Sequence, residues 1–255
     1  MSVLAHGRIV LWEGASLWIF KAAHGHSRTD QHSHHAIQLT FALEGDFEFR
    51  TSSGNTSGPI AAIAPDTSHE FQATGTVAML FIDPDGSVGR SLAREWFAAS
   101  PLRRIEPEAF QATATSLREA FETNRADAEL VSRGKAVISD LRPAQQPPTP
   151  DPRFEAMLRF VADNLEERIS LRDVARHVHL SPTRAGHLFV EHAGLPLKTY
   201  LLWRRLTRAV EAYSDGALLT EAAHGAGFAD SAHFSRTFRR MFGLPAASLR
   251  LIRRD

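Results

Sequence analysis

Histidines are concentrated in the first third of the chain, where their spacing suits metal ligation. Six of the 13 histidines lie between residues 24 and 69. His32 and His34 are two positions apart, so on a strand both side chains point to one face, and His69 can approach from a neighbouring strand. Three neutral imidazoles can hold a divalent metal such as Zn, Fe or Ni. Alternatively, these histidines hydrogen-bond across the strands or contact an organic effector.

The last third of the chain contains one pattern written twice. The first copy spans Ser170–Pro196 and the second spans Leu219–Pro245, with Ala175 matching Ala223. Each copy predicts a short helix, a turn and a second helix, which is the helix-turn-helix layout. Two such units on one chain predict a protein that binds duplex DNA.

The doubled unit carries a specific family signature. The second copy contains GFADSAHFSRTFRRMFGLP from Gly227 to Pro245, and the first contains A-x-x-V-x-L-S-P over Ala175–Pro182 followed by Leu188-Phe189. These strings resemble the DNA-binding domain of the AraC/XylS family of transcriptional regulators. The resemblance implies a sequence-specific, effector-responsive regulator rather than an enzyme. Its implied partners are double-stranded DNA, a small-molecule effector, a second copy of the chain in a homodimer and, for an activator, RNA polymerase.

The resemblance also implies which residues read DNA. The long helix expected over Pro196–Tyr213 would hold the two reading helices in successive major grooves, about 34 Å apart. Arg236 is the leading candidate, because a guanidinium can bind guanine O6 and N7 together, although a phosphate contact is its alternative. Arg239 and Arg240 are expected to contact phosphates or to form a solvated face. The positions aligned with the family's reading face are Thr183, Arg184, Gly186 and His187 in the first unit, and Ser231, Ala232, Ser235 and Arg236 in the second.

The first unit departs from the family pattern at two of these positions. Gly186 offers no side chain, and glycine costs about 1 kcal/mol of helix propensity relative to alanine. His187 stands where the family usually has an arginine. We therefore expect the first unit to discriminate bases weakly, or to read thymine methyl groups through Thr183.

A second, weaker resemblance covers the histidine-rich region. HSHHAIQLTFALEG, from His32 to Gly45, resembles the first cupin motif, and PDTSH, from Pro65 to His69, resembles the end of the second. Metal-binding cupins carry a glutamate where this chain has Gln38, and an amide is a poorer ligand. Two alternatives to the effector-responsive regulator follow. One is a metal-dependent cupin enzyme fused to a DNA-binding domain, and the other is an effector-free regulator whose N-terminal domain only dimerises.

Short strands with turn residues between them predict an antiparallel β domain in residues 8–83. The predicted strands are Arg8–Leu11, Ser16–Ala22, Ile37–Leu43, Asp46–Thr51, Pro59–Ala64 and Val77–Ile82. Inward-facing residues of such a barrel would line an effector pocket suited to a ring-bearing or sugar-like molecule, or would simply pack the core. The candidates are Trp18, Phe20, Gln38, Thr40, Phe47, Phe49, His69 and Phe71.

From about Val88 the hydrophobic period becomes helical, which predicts accessory helices that pack on the β domain and pair two protomers. Five prolines in the ten residues of Pro143–Pro152 predict an extended linker. The expected fold is therefore α+β with two domains: a cupin-like β-barrel with accessory helices over residues 1–142, the linker over 143–152, and an all-α domain of about seven helices over 153–255.

Composition limits the class of protein further. The chain has no cysteine, so it forms neither disulfides nor thiolate metal sites. Residues 151–255 carry 16 basic and 12 acidic residues, a net +4, while residues 1–150 carry 13 and 17, a net −4. A basic C-terminal region suits a polyanionic partner. Neither an apolar membrane span nor a leader segment is recognisable, so we expect a cytoplasmic protein with no membrane partner.

Overall fold

The computed structural model describes residues 4–141 and 149–252. Contacts between residues divide the chain into two compact units. Unit 1 comprises Met1–Gln146 together with Phe238–Asp255, and unit 2 comprises Pro147–Thr237. The first division falls within the predicted linker, of which residues 143–148 lie outside the described residues. The domain boundaries of the sequence analysis stay predictions. None of the helices in the described ranges is both long and apolar enough to cross a membrane.

Unit 1 is built on an eight-stranded antiparallel sheet. Its main path runs β1-β2-β7-β3-β6-β8, and β4 pairs with β5 and β7. The predicted antiparallel β architecture is confirmed. The strands are β1 (Leu4–Trp12), β2 (Ala15–Arg28), β3 (Ile37–Glu44), β4 (Phe47–Thr51), β5 (Gly54–Ser57), β6 (Ile60–Ile63), β7 (His69–Ile82) and β8 (Leu102–Arg104).

The strand β7 bends where it changes one of its two neighbours. β2 pairs with both halves of β7. On the other side, β3 pairs with the second half and β4 pairs with the first half, from His69 to Ala73. Gly75 lies at the change with φ +69°, and a Cβ there would stand 2.4 Å from the carbonyl oxygen of Glu44. Only glycine fits such an approach without displacing backbone. The bend brings His69 alongside His32, and the two residues exchange both backbone hydrogen bonds, at 2.9 and 2.8 Å.

Three α-helices of unit 1 follow the sheet, as the change of period predicts. They are α1 (Ser87–Trp96), α2 (Gln111–Glu122) and α3 (Asp127–Asp140). Leu117, Phe121, Leu130 and Val137 are buried in one apolar cluster with strand residues such as Phe41. These helices therefore cover one face of the sheet. The pairing of two protomers through them stays a prediction.

The remaining helices include the predicted short helix, turn and second helix of each unit, and capping residues mark their ends. Ser170 and Asp173 form a capping box, and Ser181 caps the next helix by accepting from the amide of Arg184 at 3.3 Å. That helix ends at Gly194, with φ +77°. The helices are α4 (Pro152–Asp163), α5 (Leu171–His177), α6 (Pro182–Ala193), α7 (Leu197–Ser214), α8 (Leu219–Gly225) and α9 (Ser231–Phe242), followed by a 3₁₀ helix (Ala246–Ile252).

Two strands were not predicted, and three others are several residues longer than predicted: β1 begins at Leu4, β2 continues to Arg28 and β7 begins earlier. β5 begins at Gly54, where glycine and asparagine chemistry predicts a turn, and it pairs with β4 as the second arm of a hairpin. β8 is a three-residue edge strand that carries little alternation. β7 begins at His69, eight residues before the predicted strand, because Gly75 and two threonines interrupt its apolar pattern.

Candidate functional site

The three histidines with metal-ligand spacing meet in unit 1. One ring nitrogen from each of His32, His34 and His69 lies within 4.8 Å of the other two. The three side chains are buried, with 6%, 2% and 1% of their surface exposed. The His32 and His69 rings are closest, with centroids 4.1 Å apart, because the two residues face each other across the backbone pairing described above. Residues 37 positions apart are thus brought into one cluster.

Backbone carbonyls orient all three rings. Nδ1 of His32 lies 2.9 Å from the oxygen of Asp30, Nδ1 of His34 lies 3.2 Å from that of Ala36, and Nδ1 of His69 lies 2.8 Å from that of Thr67. A carbonyl oxygen only accepts, so each Nδ1 carries the hydrogen and each Nε2 keeps its lone pair. This is the arrangement that commonly supports metal-ligating histidines.

The cluster is held in its neutral form. Burial lowers the pKa of His32 to about 3, with the His69 imidazole adding to the effect, and burial lowers the pKa of His69 to about 4. Burial likewise lowers the pKa of His34 well below its ordinary value. Neutral imidazoles have lone pairs available without losing a proton first.

Gln38 and Thr40 extend the cluster on β3. The side-chain amide of Gln38 lies 3.0 Å from Nε2 of His34 and 3.0 Å from the hydroxyl of Thr40. The two ends of an amide have the same shape, and the hydrogen-bonding partners decide which end points where. Because Nε2 of His34 is an acceptor, the amide NH₂ belongs opposite it, and the amide oxygen then accepts from Thr40.

A small cavity adjoins the cluster inside unit 1. His32 and Gln38 line it together with Trp18, Phe20 and Phe71, and Phe242 and Leu244 also contribute. Its volume is about 30 Å³, which is space for a water molecule or an ion rather than for an organic molecule. The other pocket candidates do not line it: Phe47 and Phe49 pack with Phe71 in an apolar cluster, and Thr40 and His69 are buried. The predicted effector pocket therefore stays a prediction, and an organic effector requires its lining to move.

The end of α9 belongs to unit 1 and contacts the same region. Phe242 stacks on Trp18 with ring centroids 4.6 Å apart. The amide of Asp30 donates to the oxygen of Gly243 at 2.9 Å, and Arg239 forms an ion pair with the Asp30 carboxylate at 2.6 Å. Arg239, a predicted phosphate contact, is therefore engaged within the protein in this conformation.

The reading positions of the first unit lie on the N-terminal half of α6. Thr183, Arg184 and His187 are exposed, so all three side chains can reach a ligand. Gly186 is half-buried, and a Cβ there would stand 3.2 Å from Cδ2 of Leu171 on α5. The glycine thus lies against the Leu171 side chain, where α5 packs on α6. This contact gives Gly186 a role in helix packing that was not predicted from the sequence.

The reading positions of the second unit lie on α9. Ala232, Arg236 and Arg240 are exposed, and Ser231 is half-buried. The hydroxyl of Ser235 donates to the carbonyl oxygen of Ser231 at 2.8 Å, so its hydrogen is already used within the helix. At the start of α9, the Asp230 carboxylate accepts from the amide of His233 at 2.6 Å and caps the helix. These placements leave Arg236 as the long cationic side chain on the face predicted to read bases.

The sequence analysis missed one polar constellation near the histidine cluster. His35 points away from the cluster and lies between two carboxylates, with Nδ1 2.8 Å from Asp66 and Nε2 3.3 Å from Asp85. Asp83 and Asp85 follow the long strand directly, and that pair of acidic residues after a buried strand was the available signal.

The C-terminal helices pair in the helix-turn-helix layout and carry exposed basic residues. A family described as "Helix-turn-helix domain" matches residues 174–251. The match agrees with the two predicted helix-turn-helix units.

Curated relatives match mainly through this region. The XylDLEGF operon transcriptional activator of Pseudomonas putida is 32% identical over 110 residues, covering 41% of this chain and 34% of that protein. The arabinose operon regulatory protein of Escherichia coli is 26% identical over 134 residues, covering 52% of this chain and 44% of that protein. An uncharacterized transcriptional regulator of E. coli, YpdC, is 29% identical over 148 residues, 56% of this chain and 52% of that protein. The chain thus spans between a third and about half of the length of these relatives.

A solved structure resembles the chain over nearly its whole length. The crystal structure of ToxT from Vibrio cholerae O395 matches with a TM-score of 0.61 at 12% identity, covering 94% of this chain and 99% of that one. At this identity the likeness concerns the fold alone. It agrees with the predicted arrangement of an antiparallel β region followed by a helical region with two helix-turn-helix units.

Proposed function

We propose that this protein is a sequence-specific DNA-binding regulator of transcription that responds to a small-molecule effector. The observation that carries the proposal is the placement of Arg236 and Arg184 on exposed faces of the second helices of the two helix-turn-helix units. Such helices enter the major groove, where arginine distinguishes guanine from other bases. The curated relatives are named as regulators of operons, which supports the same role.

The proposed division of labour follows the predicted domains. Residues 153–255 bind DNA, residues 1–142 bind the effector and pair two protomers, and residues 143–152 connect them. A ToxT structure is described as holding an unsaturated fatty acid, so a protein of this fold has been solved with a small organic molecule bound. The cavity beside Trp18 is the proposed effector site here, and the effector would bind by displacing side chains that now fill it. In this proposal the protein is cytoplasmic, is not an enzyme, and contacts RNA polymerase if it activates transcription.

Selection from a random duplex pool tests the DNA function directly. The purified chain should enrich one motif, and its second-unit half-site should be the better defined of two. Affinity for that motif should fall steeply between 50 and 200 mM salt, because phosphate contacts release counterions. Failure to enrich any motif, or an affinity that does not change with salt, would refute DNA recognition.

A thermal-shift screen with small molecules tests the effector function separately. A ligand of the folded state raises the unfolding temperature by mass action. A hit that also changes affinity for the selected motif would establish the effector role. If hits shift the melting temperature without changing DNA affinity, the N-terminal domain serves dimerisation only. Turnover of any hit, followed by chromatography of the products, would instead favour the enzyme alternative.

A further inference from the structure

We propose that His32, His34 and His69 bind one divalent transition-metal ion through their Nε2 atoms, with a further coordination position open toward the cavity beside His32. The three proposed ligands lie in unit 1, on residues that precede all the helices proposed to bind DNA. Metal binding can therefore be tested independently of the function proposed above.

Backbone carbonyls fix the three donor rings before an ion arrives. Each Nδ1–H group is held by one carbonyl, which leaves the Nε2 lone pairs as the donors for an ion. Nε2 of His69 is buried and has no hydrogen-bond partner among the described residues. A buried polar atom without a partner is costly, so an ion that accepts its lone pair would relieve the cost.

The spacing fits an ion after a small contraction. Two nitrogens bound tetrahedrally at 2.0–2.1 Å from zinc are about 3.3 Å apart. The ligand nitrogens here lie at most 4.8 Å apart, so rotations of the imidazoles need to close no more than about 1.5 Å. Imidazole nitrogen suits Zn²⁺, Co²⁺, Ni²⁺, Fe²⁺ and Cu²⁺ and excludes Mg²⁺ and Ca²⁺, which prefer oxygen.

Gln38 controls access to the third ligand. Its amide occupies Nε2 of His34, so the amide must turn before His34 can ligate. Once turned, Gln38 presents its oxygen to the ion as a weak ligand or withdraws toward Thr40. Three neutral imidazoles and an amide leave the ion's double positive charge uncompensated. The open position beside His32 therefore favours a small anion, such as hydroxide or the carboxylate of a larger ligand.

Titration calorimetry of the untagged full chain with Zn²⁺, together with Co²⁺ absorption spectroscopy, tests the proposal. We expect one ion per chain and visible Co²⁺ bands of a four- or five-coordinate site. Each of His32→Ala, His34→Ala and His69→Ala should weaken Zn²⁺ binding about 100-fold or more, since even supporting residues of metal sites contribute 10- to 100-fold. His187→Ala is the matched control, because it removes an exposed histidine elsewhere, and it should leave affinity unchanged.

Gln38→Glu keeps the proposal testable if the histidine variants fold poorly. A carboxylate is a better and charged ligand, so this variant should tighten Zn²⁺ binding about 10-fold. Azide added to the Co²⁺-loaded wild-type chain should shift the visible bands by occupying the open position. The proposal is overturned if the wild-type chain binds no ion at one per chain, if binding survives in all three folded histidine variants, or if Gln38→Glu leaves affinity unchanged. Insensitivity of the Co²⁺ bands to azide would overturn the open position.

Discussion

The imidazole of His35 is hydrogen-bonded through Nε2 to the buried carboxylate of Asp85, 3.3 Å away, and links the loop after the sheet to the start of β3. Asp66 binds the other ring nitrogen at 2.8 Å from a half-exposed position. Burial by itself would lower the pKa of His35, but the hydrogen bonds with Asp66 and Asp85 outweigh it and raise the pKa to about 9. His35 is therefore a buried cation held between two carboxylates.

This arrangement predicts a loss of stability at alkaline pH. The pKa of His35 in the folded state lies above its unfolded value near 6.5. The stability that protonated His35 contributes is therefore fully present below about pH 6.5 and is lost as pH rises through about 9. Asp85→Asn should lower the free energy of unfolding by about 1–3 kcal/mol at pH 7, because it leaves a buried cation with a neutral partner. Urea unfolding at pH 7 and pH 10 checks both points. The difference between wild type and variant should shrink at pH 10, and an equal difference at both values would contradict the account.

Asp66→Asn is the matched control for this prediction. The Asp66 carboxylate is 41% exposed, so solvent screens its interaction with His35. Asparagine also tolerates the left-handed backbone at this position, where φ is +57°. We expect Asp66→Asn to lower the free energy of unfolding by less than about 1 kcal/mol. A loss as large as that of Asp85→Asn would show that burial does not decide the strength of these bonds.

The bend of β7 predicts a difference between two glycines with similar backbone angles. Gly14 has φ +80° and nothing within 4 Å of an added Cβ, whereas Gly75 has φ +69° and a backbone oxygen at 2.4 Å. Gly14→Ala should cost only the left-handed strain, about 1–2 kcal/mol. Gly75→Ala should cost about 1–3 kcal/mol more, because the clash is with backbone and not with a flexible side chain. Thermal unfolding of both variants tests this, and equal losses would show that the bend adjusts freely.

Local signals explain which parts of the fold were predictable. Ser170, Ser181 and Gly194 are caps whose side-chain or backbone chemistry acts within a few residues, so the short helix, turn and second helix of the first copy could be predicted from the sequence. The first half of β7 was not predicted, because Gly75 interrupts the apolar pattern of the strand. The need for glycine at this position comes from the backbone of Glu44, which lies across the bend.

Contacts between distant residues could not be read from the same pattern. The bond between His35 and Asp85 spans 50 positions, and the ion pair between Arg239 and Asp30 spans 209. Both depend on packing that no periodicity encodes. The cluster of His32, His34 and His69 was predicted from the spacing of the first two histidines and from the motif that ends at His69. The predicted strand under His32 and His34 was wrong, because both residues precede β3. The Nδ1 contacts that orient the rings required the structure.

The close approach of α5 and α6 predicts how Gly186 responds to substitution. Gly186→Ala adds a methyl group 3.2 Å from the tip of the Leu171 side chain, which is half-buried and can turn aside. The gain in helix propensity, up to about 1 kcal/mol, should therefore prevail and stabilise unit 2. Chemical unfolding of the variant measures this change. Gly225→Ala, at the end of α8 with nothing within 4 Å, is the control without a neighbour. Destabilisation by Gly186→Ala alone would mean that the helix contact is too rigid to adjust.

The unequal reading helices predict unequal effects on DNA recognition. Arg236 is exposed on α9 and offers a bidentate donor pair, while His187, at the corresponding place on α6, is shorter and has no such pair. Arg236→Ala should weaken binding to the selected motif by about 1–3 kcal/mol, roughly 5- to 150-fold, and relax the preference at one base pair. His187→Ala should have a clearly smaller effect. Competition binding at one fixed salt concentration compares them, and equal losses would contradict this ranking.

Arg240→Ala separates base recognition from phosphate contact on the same helix. Arg240 is exposed on α9, four positions after Arg236, and we expect its guanidinium to contact the DNA backbone. Its removal should weaken selected and unrelated DNA by the same factor and reduce the slope of log affinity against log salt by about 1. Arg236→Ala should instead affect the selected motif far more than unrelated DNA. If Arg236→Ala shows the uniform loss and Arg240→Ala the selective one, Arg240 is the base-reading residue of the second unit.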